Sequence, residues 1–129
     1  MRPIKFRGFK YRLKKMDGSW LELTKDQAYM DYWGSLEDIQ LMFRIHEDMN
    51  LEEYHIMQFT GMYDIDGKEI YEGDQIEDKV VKYFPGRWAA HRTSTLEGAG
   101  EIVYLDNSIL SWKKPEMTHL KITGNIYEN

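Results

Sequence analysis

Apolar positions in this chain recur mainly at every second residue, with one stretch at a helical period. His55, Met57 and Phe59 alternate with Ile56 and Gln58, and Glu69-Ile70-Tyr71 follows the dipeptide Asp66-Gly67. That arrangement predicts a β-hairpin whose tip is Asp66-Gly67, since a type I′ turn needs positive φ at both central residues and Asp and Gly tolerate it. Thr60-Gly61 precedes the turn, Asp64 marks the end of the first strand, and Glu72-Gly73-Asp74 punctuates the run before Gln75-Ile76. Val80-Val81-Lys82-Tyr83-Phe84 reads as a further strand ending at Pro85-Gly86, and residues 87–100, which keep no sustained period, read as a long loop. Residues 101–105, an Asp106-Asn107 turn and residues 108–112 predict a second hairpin, and residues 119–123 a last strand before Gly124.

At the other end, Ile4 and Phe6 have one parity and Phe9, Tyr11 and Leu13 the other. A bulge at Arg7-Gly8 would absorb the slip and bring the rings to one side. The helical stretch begins at Ser35, an N-cap with Asp38 three residues on, and Leu36, Ile39, Met42, Phe43 and Met49 follow at helical spacing. The helix is expected over 36–49. Before it, residues 24–30 have the composition of a short helical turn, broken by 31–34. The expected fold is α+β and mainly β: one domain over 1–129, a small curled antiparallel sheet or SH3-like barrel with a helical insertion at about 24–50.

Composition leaves that picture in place and removes several functions from it. The chain has 129 residues, 42% of them hydrophobic and 30% charged, which is globular rather than disordered, and no apolar run is long enough to span a membrane. The first residues lack the apolar core of a secretion signal, and there are no cysteines to form disulfides or thiolate metal sites. A soluble, cytoplasmic protein is expected.

Charge changes the picture more. Residues 1–15 carry seven Lys and Arg and no acid, so with a total of −5 the remainder carries −12. Lys10, Arg12 and Lys14, interleaved with Phe9 and Tyr11, are candidate contacts for single-stranded nucleic acid, cations for phosphates and rings for bases. The simpler account is a strand with one solvated face and its rings in the core, and nucleic acid is the less favoured partner.

Between Met57 and Ile76 the carboxylates invite a metal reading, which the spacing denies. With Gly67 at the glycine position of a calcium loop, Asp64 and Asp66 fall at the third and fifth positions, but Met62 takes the first and Gly73 the twelfth. Turn chemistry explains the same residues. Asp64, Glu69, Glu72 and Asp74 could pair across a hairpin as acid and base, yet short acidic side chains at turns more often bond nearby amides. His46, His55, His91 and His119 are scattered, and no nucleophile motif or phosphate loop is present, so no catalytic residues, metal or cofactor are expected.

The opening Lys5-Phe6-Arg7 with Phe9, the central Thr60, Gly61, Asp64, Gly67, Lys68, Ile70, Tyr71, Glu72, Gly73 and Asp74, and the closing residues 124–129 (GNIYEN) together resemble the YopX family of small bacteriophage and prophage proteins. Lys10 departs from the polar or acidic turn residue expected after the aromatic. Residues 14–54 and 84–100 match nothing in that pattern. The resemblance implies a phage or prophage accessory protein of unknown molecular role and an oligomer, with a host or phage protein as a possible partner. Four tryptophans, nine tyrosines and eight methionines are more large side chains than one small sheet and one helix readily hide. The stripe Leu36, Ile39, Met42, Phe43 and Met49 is the candidate interface.

Overall fold

The computed structural model describes residues 5–34, 37, 50–84, 86–91, 102–108 and 117–128. The protein is mostly β, and its strands are antiparallel. Two compact units divide it, Met1–Gln58 and Phe59–Asn129.

In the first unit the strands are β1 (Phe6–Lys10), β2 (Arg12–Lys14), β3 (Trp20–Glu22), β4 (Tyr29–Trp33) and the opening half of β5 (Tyr54–Tyr63). β1 lies between β4 and residues 54–58, paired residue for residue with both from Phe6 to Lys10. The bulge expected at Arg7-Gly8 is therefore absent, and Phe6 and Phe9 face opposite sides of the sheet as a period of two requires. Gly8 has no side chain for a different reason. Trp33 shares its sheet face, and a Cβ on Gly8 would stand 2.3 Å from Trp33 Cη2 and 2.7 Å from Cζ3. The ring so placed is buried and meets Tyr54 edge-on at 5.1 Å, a favoured aromatic geometry. Phe9 and Met57 are buried on the opposite face.

β2 and β3 form a hairpin around Asp17-Gly18, a signal of the same kind as Asp66-Gly67. The helical turn expected at 24–30 reduces to one isolated turn, in which the Gln27 and Ala28 amides both donate to Thr24 O, and residues 29–33 then run on as β4. The insertion's first part is thus strand, because Tyr29, Tyr32 and Trp33 suit a sheet and β1 offers a ladder to pair with. The expected helix lies outside the described residues apart from Glu37, which is helical. A 3-10 turn, Leu51–Glu53, leads into β5, and Asn50 caps it by accepting from the Glu52 amide.

The second unit holds the rest of β5, then β6 (Glu69–Tyr71), β7 (Asp74–Ile76), β8 (Lys79–Phe84), β9 (Arg87–His91), β10 (Ile102–Tyr104) and β11 (Gly124–Asn125). β5 and β6 pair as expected, with a register shift between Phe59 and Tyr63 at Gly61. The turn between them is not type I′. Among the described non-glycine residues only Glu77 has positive φ, so Asp66 does not; Ile65-Asp66 makes an ordinary turn closed by Gly67 N–H to Asp64 O, and Gly67 follows at φ 83°. This is the three-residue loop in which a left-handed glycine forms a bulge. A Cβ on Gly67 would meet nothing within 4 Å, so Gly67→Val is strained by backbone conformation alone. It is expected to lower stability by about 1–2 kcal/mol in chemical denaturation.

The remaining strands form one sheet in the order β10-β9-β8-β7-β11. Residues 87–91, expected to be loop, are its second strand. The alternating signal is weak there because the successive residues Ala89 and Ala90, on opposite faces, are both 0% exposed. β10 pairs with β9, and residues 105–108 form a 3-10 turn where the Asp106-Asn107 turn is expected; after Ser108 the second strand of that hairpin falls in 109–116, outside the described residues. Residues 119–123 are not a strand. Their amides go elsewhere: Leu120 N–H to Thr118 Oγ1, Ile122 N–H to Asp64 Oδ2 and Thr123 N–H to Gln75 O. Met62, Ile70, Ile76, Val81, Ala90, Leu105 and Ile122 form the core of this unit.

Candidate functional site

In the acidic, glycine-rich run three polar side chains, those of Thr60, Asp64 and Asp74, are buried. Thr60 Oγ1 donates to Ile70 O at 2.8 Å and accepts from Met62 N–H at 3.1 Å, bridging the irregularity at Gly61. Asp64 is 2% exposed. Its Oδ1 accepts from the amides of Asp66 and Lys68 at 2.9 and 2.8 Å, and its Oδ2 from the amide of Ile122 at 3.3 Å. Asp74 Oδ2 accepts from Tyr71 N–H at 2.8 Å across the Glu72-Gly73 turn. Gly73 donates its amide to Val81 O and accepts at its carbonyl from Ile126 N–H. Buried carboxylates satisfied by amides in this way stand in for missing ladder partners.

Asp66 is exposed at the tip, 3.8 Å from Lys121, and Glu69 accepts from the Tyr71 hydroxyl. The structure thus brings Thr60, Gly61, Asp64, Gly67, Gly73 and Asp74 together as one turn framework. Among the described residues no group of three or more His, Asp or Glu is arranged to hold a metal ion.

Asn125 is a participant the sequence reading left without a role. Its Oδ1 accepts from the amides of Tyr127 and Glu128, and its Nδ2 donates to the Glu128 carboxylate, so it closes the turn that follows β11. The spacing Asn125-x-x-Glu128 carried that signal. Glu53 was missed as well. It is buried, accepts from Lys14 N–H at 2.9 Å, and lies 3.6 Å from Lys10 Nζ.

The basic segment of the first unit is engaged internally. Lys10 faces Glu53 and the Tyr54 ring. Arg12 lies 3.7 Å over the Trp20 ring and 5.1 Å from that of Tyr11, and its Nε donates to Glu52 O at 2.9 Å. Lys14, across the hairpin from Trp20, extends over the same ring. Tyr11 stacks on His55 at 3.9 Å with the planes 9° apart. Burial, and after it the neighbouring Arg12 cation, hold His55 below its usual pKa against an opposing pull from Glu22, so it stays neutral at pH 7 and adds no charge to this strip. Cation, ring and histidine form one continuous stack whose faces largely cover each other. Leu36, Ile39, Met42, Phe43 and Met49, the candidate interface, lie outside the described residues. No helix among the described residues is long and apolar enough to cross a membrane.

The pattern of the family described as YopX protein matches residues 5–129. No curated protein matches the chain. Among solved structures it is similar to the crystal structure of protein EF1440 from Enterococcus faecalis, at 21% identity over 98% of this chain and 94% of that one, with a TM-score of 0.35.

Proposed function

This chain belongs to the YopX family, and on that premise we propose that it is a phage- or prophage-encoded accessory protein that acts in the host cytoplasm by binding protein, itself included, without catalysing a reaction. The observation that carries this reading is the direction of its polar groups: Thr60, Asp64, Asp74 and Asn125, which a catalytic site would present to a substrate, bond the chain's own backbone. Several large apolar side chains face outward as well. Leu13 and Leu21 face each other across β2 and β3 and are exposed, Met16 stands free at the tip of that hairpin, and Tyr29 and Tyr32 of β4 are exposed. Large side chains left in water at this density are what a partner surface covers. Nucleic acid draws less support, since Lys10 and Arg12 already have carboxylate, carbonyl and ring partners.

Light scattering at micromolar concentration is expected to report a mass of more than one chain. Met42→Glu, in the apolar stripe of the expected helix, is expected to reduce that mass while leaving the strand signal in circular dichroism unchanged. A monomer at high concentration overturns self-association. Tight binding of a single-stranded oligonucleotide at physiological salt, lost in Lys10→Glu with Arg12→Glu, would replace the protein-binding reading by the nucleic-acid one.

A further inference from the structure

We propose that the β2–β3 hairpin of one copy docks in a cavity of the second unit of another copy, with Met16 as the side chain that enters it. This contact rests on the self-association put forward above and gives it a site. β2 and β3 form a two-stranded sheet of their own, and such a ribbon is marginally stable in water unless something covers it. Leu13 and Leu21 oppose each other across it and are both exposed. Met16 is the first residue inside the turn that Gly18 N–H closes on Lys15 O, and it is 108% exposed. Such turns ordinarily carry small polar residues, glycine or proline; a flexible thioether in that place suits an adaptable contact. Beside it, the Lys15 ammonium has no ion-pair partner among the described residues, and that of Lys14 has only the Trp20 ring. The one carboxylate of the turn, Asp17, accepts from the Ser19 amide and hydroxyl, so the tip keeps a net positive charge.

The cavity has the complementary character. It lies between one face of the five-stranded sheet and residues 119–123 and has a volume of about 440 Å³, room for a methionine and part of the turn that carries it. Ile76, Ala90 and Val103 share that sheet face and line the base, and Leu120 covers it from the other side. The rim is charged in the opposite sense to the hairpin tip. Its lysines, Lys79 and Lys121, are each matched by an aspartate, Asp78 at 3.2 Å and Asp66 at 3.8 Å. Glu77, exposed and without an ion-pair partner among the described residues, leaves the rim with a net negative charge. An apolar knob flanked by lysine thus fits an apolar hole flanked by glutamate, and a second copy supplies knob and hole at equal concentration. Because the two are different surfaces of one chain, the contact is heterologous. Each joined pair leaves one knob and one hole unfilled, so association continues to a closed ring or an open filament.

Sedimentation velocity of the full chain over a concentration series tests the contact. Met16→Glu is expected to weaken self-association about tenfold or more, because it would bury a carboxylate in the apolar base. Lys15→Glu and Glu77→Lys are each expected to weaken it about threefold, the scale of one exposed ion pair. The chain carrying both changes is expected to return to within about twofold of the unaltered protein, since the pair is restored with its signs exchanged. Mixing Met16→Glu with Glu77→Lys is expected to give a higher mean mass than either variant alone, as the intact tip of the second fits the intact cavity of the first. Lys15, Met16 and Glu77 are all exposed, so each variant keeps the melting temperature of the unaltered protein. A monomeric unaltered chain overturns self-association and this contact together. Unchanged association in Met16→Glu, or a Lys15→Glu, Glu77→Lys double variant weaker than both single ones, overturns this contact and leaves self-association standing.

Discussion

Gly8→Ala is expected to destabilise the first unit by about 3 kcal/mol or more, a large effect for one methyl group. The added Cβ would lie 2.3, 2.7 and 3.0 Å from three carbons of the Trp33 ring, distances that no small adjustment of a rigid indole relieves. Either the backbones of β1 and β4 separate, weakening a ladder regular over Phe6–Lys10, or the indole leaves its buried position against Tyr54. Urea denaturation followed by tryptophan fluorescence would measure the loss. If the ring is the cause, Trp33→Leu in the Gly8→Ala background should cost far less than the two single changes added together. A Gly8→Ala midpoint equal to that of the unaltered protein would show that Trp33 does not lie over Gly8.

Asp64→Ala is expected to cost about 3–5 kcal/mol, because three amides lose their acceptor at once and two of them, those of Asp66 and Lys68, define the turn. Each orphaned buried donor costs about 1–3 kcal/mol, discounted here because Asp66 and Lys68 can reach water once the turn relaxes. Asp64→Asn should cost less. One amide oxygen can still serve the turn, whereas its NH₂ would confront the Ile122 amide. Hydrogen exchange should separate the two: Asn is expected to speed exchange mainly at Ile122, and Ala at all three amides. Retention of full stability in Asp64→Ala would restore Asp64 as a residue kept for binding rather than for folding.

These two residues mark what could be read from the sequence and what could not. The Asp66-Gly67 turn and the strands on either side of it were legible, since a short-range signal sat between alternating flanks. That Asp64 would take an amide from a residue 58 positions away was not, because no local pattern encodes a long-range acceptor. Strand β9 was hidden by Ala89 and Ala90, whose burial on both faces erases the alternation that identifies a half-buried strand. Gly8 drew attention for a bulge, when its lack of a side chain serves a neighbouring ring. The basic segment was legible as charge. Its pairing with Glu53 and His55 depended on where residues 50–58 return to β1, which composition does not reveal.

The link from Ile122 to Asp64 also bears on the order in which the protein is made. A ribosome produces Asp64, its turn and β5 through β9 long before residues 118–126, which supply the Ile122 amide, the β11 partner of β7 and the Ile126 donor to Gly73. Until they emerge, the nascent second unit has a buried carboxylate short of one donor and a β7 edge with its ladder open, a template for unwanted pairing. Folding of this unit is therefore completed only once residues 118–126 are available. A chain ending at residue 117 should be open to proteases that the chain of residues 1–129 resists.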